Sequence, residues 1–257
     1  MSTKQKLLLI TPVLALAISV MAKDKPWTQW TDKDAKKILN DSGWGQTQTF
    51  MATQESTSTL PSTATARGQT VTTGTTSIGG TKGGAIDEAP GVNYRVRFLS
   101  AKPIRLALLR LVQLDPKATP EQNEQAHQFV DAKYGQVVVI SVSYDQDGLP
   151  KDNRYTMPVF QAFSGGLTSD LKNKVYLDIK GVPRVFLQEY KPPSGEGMGA
   201  IFIFPRIVND KPILDPKAGG DVHFYAEFPK LSGNDPQVRL TVRFKVSEML
   251  YDSVMEY

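Results

Sequence analysis

The chain has 257 residues, 30 lysines and arginines against 26 acids, and 40% hydrophobic residues. It is long enough to bury one sizeable core and too evenly charged to imply nucleic-acid binding. With no cysteine, disulfides, thiolate metal sites and a cysteine-linked lipid anchor are all excluded.

Residues 1–6 carry Lys4 and Lys6, residues 7–20 are almost wholly apolar, and Val20-Met21-Ala22 supplies small residues before Lys23. This reads as a secretory signal peptide, because the apolar run falls short of the roughly 20 residues a spanning helix needs. A retained anchor is the competing reading. Removing residues 1–22 lowers the formal charge from +4 to +2, so the high pI reflects near balance. The expected location is the periplasm, the cell envelope or the extracellular space, where no pool of nucleoside triphosphates exists.

Residues 23–51 read as a tryptophan-flanked helical segment. Thr31 is a good N-cap and Asp34 stands three residues on, where its carboxylate can reach back to the cap. Asp32 and Asp34 suit the positive end of the helix dipole, and Gly43 is expected as a left-handed stop. Ala35, Ile38 and Leu39 share one face and Lys33, Lys36 and Lys37 lie mostly on the other, an apolar stripe too small to fold alone. Trp27, Trp30 and Trp44, the three tryptophans of the chain, are candidate partner-binding residues. Indoles combine a large apolar area with a polar N–H, so they could contact a protein, a polysaccharide or a membrane surface. The structural reading makes them plugs that dock the helix on the main domain. Asn40-Asp41-Ser42 matches a glycosylation triplet, a short pattern common by chance.

The stretch from Trp27 to Trp44 resembles a group of exported, uncharacterised bacterial proteins, acidobacterial in type. They share a W-T-x-W-T, D-A-x-K-I-L, S-x-W signature near the mature N-terminus. The resemblance implies export and brings no established activity with it. The segment also resembles the motif that names the GWxTD proteins, although the literal string is absent: Gln46-Thr47-Gln48 follows Gly43-Trp44, and Thr31-Asp32 follows Trp30 directly.

Residues 52–90 are rich in threonine, serine and glycine, which cannot bury enough apolar surface to offset their ordering entropy, so a disordered linker is expected. A phosphate loop at residues 74–82 is excluded, because the G-x-x-x-x-G-K-[ST] spacing is missing. Residues 91–257 are expected to form an α+β domain, a largely antiparallel sheet or sandwich with two helices near its N-terminal part. Residues 92–98 alternate as a strand with Arg95 and Arg97 on one face. Residues 102–114 and 120–133 read as helices, the second opened by Thr119, Pro120 and Gln122 and ended by Gly135. Strands are expected at 136–144, 159–163, 175–180, 184–190, 200–205, 222–228 and 238–246. In the last two, Glu227 is placed across from a row of Arg239, Arg243 and Lys245.

Groups capable of chemistry are few. His127 falls on a helix and His223 on an outward strand face, without metal-ligand spacing. Phe163-Ser164-Gly165-Gly166 reads as a loop, not a nucleophile elbow. Asp145, Asp147 and Asp152, with Asn153, are calcium candidates, since hard cations take clustered carboxylates. The remainder of an EF-hand loop is missing, however, and an Asp-Gly turn explains the same residues. No cofactor is expected. The sequence favours an exported, non-catalytic binding or structural protein with an envelope or extracellular protein partner. The rival is a secreted hydrolase or carbohydrate-active enzyme using loop carboxylates.

Overall fold

A computed structural model describes residues 25–51, 91–145, 156–194, 198–217, 219–229 and 238–257. The expected signal stretch 1–22, the linker 52–90 and, beyond Asp145, the expected turn at 145–148 lie outside the described residues.

The protein is α+β, as its patterning requires. After a single 3-10 turn, Trp27–Gln29, come α1 (Asp32–Asn40), β1 (Gly45–Met51), β2 (Gly91–Phe98), α2 (Lys102–Leu114), α3 (Pro120–Asp131) and β3 (Val137–Asp145). They are followed by α4 (Met157–Gly165), α5 (Thr168–Leu171), β4 (Val175–Ile179), β5 (Val185–Phe186), β6 (Glu189–Lys191) and β7 (Ala200–Pro205). Two further strands, β10 (Asp221–Glu227) and β11 (Arg239–Lys245), stand between the small hairpins β8 (Ile207–Val208) with β9 (Lys211–Pro212) and β12 (Leu250–Tyr251) with β13 (Val254–Met255).

Among the described residues all strand pairing is antiparallel. Sheet A has the order β1-β2-β3-β7-β6 and sheet B the order β11-β10-β4-β5. The alternation read from β10 and β11 is realised: Val222, Phe224, Ala226 and Leu240, Val242, Phe244 are buried, while Arg239, Thr241, Arg243 and Lys245 are exposed. The buried faces of the two sheets meet through aromatic pairs, Phe98 with Phe244 at 4.9 Å and Phe202 with Phe224 at 5.4 Å, both near perpendicular. Phe163 of α4 enters the same core, 4.9 Å from Phe228 and 5.8 Å from Tyr144.

Both expected N-terminal boxes form. Thr31 and Asp34 cap α1 reciprocally, and Thr119 and Gln122 do the same for α3. Between these helices lies α2, packed on each, with Arg105 buried at the join. The Arg105 guanidinium donates to the Ala132 carbonyl at 2.6 Å and also to the Val130 carbonyl, closing the open end of α3 with a charged donor.

Four expectations change. Residues 159–163 form part of helix α4, because Pro158 at its start and Thr156 before it seed a helical turn, Phe160 N–H donating to the Thr156 carbonyl. Ser164 accordingly lies in the helix end instead of a loop. Residues 184–190 are not one strand: β5 belongs to sheet B and β6 to sheet A, and the chain crosses between them at Leu187-Gln188. Residues 25–51, expected as a helical segment apart from the main domain, are part of it, since β1 pairs with β2 along its length and Trp30, Ile38 and Trp44 join the common core. Gly43, finally, does not cap α1 with a left-handed residue; the cap is Asp41, and Gly43 is required because a Cβ there would lie 2.4 Å from the Glu248 carbonyl oxygen.

Candidate functional site

Trp30 and Trp44 are buried completely or nearly so, and Trp27 is half-buried against the core. Trp30 Nε1–H donates to the Lys25 carbonyl at 3.1 Å, and its own carbonyl accepts from Arg110 Nε at 2.7 Å. Trp44 Nε1–H donates to the Glu256 carbonyl at 2.8 Å, and its ring meets Tyr251 edge-on. The three residues therefore form no open aromatic platform, and their candidacy as a partner-binding set is corrected. A nine-residue helix burying Ala35, Ile38 and Leu39 gains its attachment from the large area of the indoles beside it.

Asp145 pairs through Oδ2 with Arg95 across β2 and β3, while its Oδ1 is buried with no hydrogen-bond partner among the described residues. Asp147, Asp152 and Asn153 lie outside the described residues, among which no group of three or more metal-ligating side chains occurs. Beside that pair, the Arg97 guanidinium donates to the Leu39 carbonyl, to Asn40 Oδ1 and to Ser143 Oγ. Burial first, and the Arg95 charge second, push it down to about 10. It remains a cation at physiological pH, and it ties the end of α1 to sheet A. Asn40 is thereby committed to an internal contact. His127 is exposed, 3.5 Å from Gln113 on α2, and His223 is exposed between Arg243 and Asp178 in sheet B.

The chemically distinctive surface is the solvent face of sheet B. Register places Thr241, Tyr225, Tyr176 and Phe186 in one row across four strands. Tyr225 and Tyr176 stack at 4.9 Å with 23° between their planes, and Phe186 meets Tyr176 at 5.9 Å and 62°. Arg184 places its guanidinium 4.6 Å from the Tyr176 ring centre. Phe186 is 45% exposed, a large apolar side chain that folding leaves in water.

Polar rows flank the aromatics. On one side Arg239 pairs with Glu227 at 3.0 Å, and Tyr225 Oη–H donates to the same carboxylate at 2.6 Å. That short bond is the main reason the Glu227 carboxyl lies below its usual range and the Tyr225 phenol above its own. On the other side Arg243, His223 and Asp178 share a row, and Arg243 pairs with Asp221 at 2.8 Å. At the seam where β11 approaches β1, the Thr241 N–H is satisfied by Gln48 Oε1 at 3.1 Å. A polar depression of about 330 Å³ opens beside it, lined by Asp41, Gln46, Arg243, Lys245 and Glu248.

Neither a protein-family model nor a curated protein sequence matches the chain. Among solved structures, the chain is similar to a novel protein of unknown function from Burkholderia pseudomallei, at 9% identity and a TM-score of 0.27. The likeness covers 58% of this chain and 73% of that one.

The residues of sheet B's outer face were visible in the sequence as the polar positions of alternating strands, and the β11 row of cations was expected. The aromatic row was not. It depends on register across β10, β4 and β5, and residues 184–190 read as a single strand concealed the position of Phe186.

Proposed function

We propose that this protein is exported and acts by binding, not catalysis, holding an envelope or extracellular protein on the outer face of sheet B. The observation that carries the reading is the unbroken row Tyr225, Tyr176 and Phe186, aromatic side chains kept at the surface where folding alone would favour polar ones. Ring-to-ring and guanidinium-to-ring stacking already hold these side chains in place, so a partner loses little conformational entropy on docking. The most perturbed titratable groups serve packing: burial raises Tyr94 and Tyr190, and Tyr190 donates to the Phe163 carbonyl inside the core. Export is supported by the lysine-led apolar stretch of residues 1–22.

The test is capture from envelope extract by the full chain and by Tyr176→Ala/Phe186→Ala, with cell fractionation in parallel. The variant is expected to fold and to lose at least about tenfold in captured partner, in keeping with aromatic anchors worth ~1–2 kcal/mol each. Undiminished capture, or recovery of full-length precursor in the cytosol alone, overturns the proposal.

A further inference from the structure

The aromatic row lies within a frame of unequal charge. Along the outward positions of sheet B and its immediate flanks stand Lys174, Lys180, Arg184, Arg239, Arg243 and Lys245, opposed by the carboxylates Asp178, Asp221, Glu227 and Glu248. Three of those carboxylates are already paired with Arg239, Arg243 and Lys245. Among the described residues, Lys180 and Arg184 form no ion pair, and both are exposed. The near balance of the whole chain thus conceals a local excess of positive charge around its exposed aromatics.

We infer that the segment held here is acidic: a carboxylate-bearing stretch of a protein partner that sets apolar side chains along the aromatic row. The inference rests on the reading that this face binds, and it names what is bound. Arg184 is the principal recognition residue. Its guanidinium lies against the Tyr176 ring, which steadies the side chain, and the fork of N–H donors it carries suits a carboxylate. Lys180, continuing the outward alternation of β4, supplies a second cation that steers without demanding geometry. Ring geometry favours a peptide over a nucleic acid. Stacking of bases needs open ring faces, and Tyr176 is already stacked with Tyr225 and overlain by the Arg184 guanidinium.

The experiment measures binding of the full chain to a random poly(Glu,Tyr) copolymer, with poly(Lys,Tyr), single-stranded DNA and phosphatidylglycerol vesicles as separate arms. Tyr176→Ala and Lys180→Glu/Arg184→Glu are compared with the unaltered chain. The expected result is binding to poly(Glu,Tyr) that weakens at least about tenfold between about 50 and about 500 mM NaCl. The charge-reversed variant should weaken it similarly while keeping its melting temperature, since both substituted side chains are exposed. Equal binding to poly(Lys,Tyr), preference for DNA or vesicles, no binding to poly(Glu,Tyr), or indifference to the charge reversal overturns the acidic partner. Capture from envelope extract separates the two proposals. Loss in Tyr176→Ala with none in the charge variant removes the acidic partner and leaves the binding face, whereas no loss in either removes both.

Discussion

Trp44 and Glu256 stand 212 residues apart and meet through an indole N–H and a backbone carbonyl. The Glu256 carboxylate accepts from the Lys102 N–H at 3.0 Å, acting as the cap that Ala101 at the start of α2 cannot provide. Trp44→Phe retains most of the buried area but removes the donor, and is expected to lower stability by ~1–2 kcal/mol in urea unfolding. Trp44→Ala should lower it by ~3–5 kcal/mol. If the two variants are equally stable, the indole hydrogen bond and the burial have been misjudged together. The sequence announced that Trp44 mattered, because tryptophan is rare and large. It gave no sign of the contact, which joins residues that no local pattern connects. Arg105 is similar: an arginine in a leucine-rich helix reads as a surface residue until the carbonyls at the end of α3 are seen to converge on it.

Elements were most legible where local chemistry alone determines them. The Thr31-Asp34 and Thr119-Gln122 boxes and the alternation of β10 and β11 formed as expected, because capping and period-2 burial are properties of a few consecutive residues. Residues 159–163 misled because Val159, Phe160 and Phe163 have strand preferences, and the neighbouring proline and the pull of Phe163 into the core outweigh them. Turns carry a testable strain. Asn209 and Asp210 join β8 to β9, and Asp252 and Ser253 join β12 to β13, all four with positive φ. Asn and Asp tolerate that region, but serine at φ 64 gains little there. Ser253→Gly is expected to stabilise the protein by ~0.5–1 kcal/mol, read as a higher midpoint in thermal unfolding. A lower midpoint means that Ser253 holds the turn by some other route.

On the scale of the whole molecule, pH offers a check on the ion-paired surface. Glu227 is held below its ordinary range chiefly by the Tyr225 hydroxyl, and Asp34 chiefly by the Thr31 N–H. Unfolding therefore takes up protons in acid, and stability present above about pH 4.5 is lost as the pH falls through the depressed values. Tyr225, raised by the same bond to Glu227, gives the opposite limb: its contribution is complete below about 10 and declines as the pH rises further. Glu227→Gln should flatten both limbs in urea titrations taken from pH 3 to pH 11, and unchanged limbs would show the Tyr225-Glu227 bond to be without thermodynamic weight. The outer face of sheet B belongs to this scale too. Its composition was readable strand by strand, yet its unity was not, because only the assembled register brings Phe186, Tyr176 and Tyr225 into line.

The clasp between Glu256 and the region of Trp44 and Lys102 sets a timetable for folding. A chain emerging residue by residue from its first end can form α1 and the pairing of β1 with β2 early, but those parts lack their final polar partners until residue 256 is free to return. Contacts of such long sequence separation slow folding. A polypeptide whose closure is deferred in this way stays open for longer, and its two ends must both be present before either is secure.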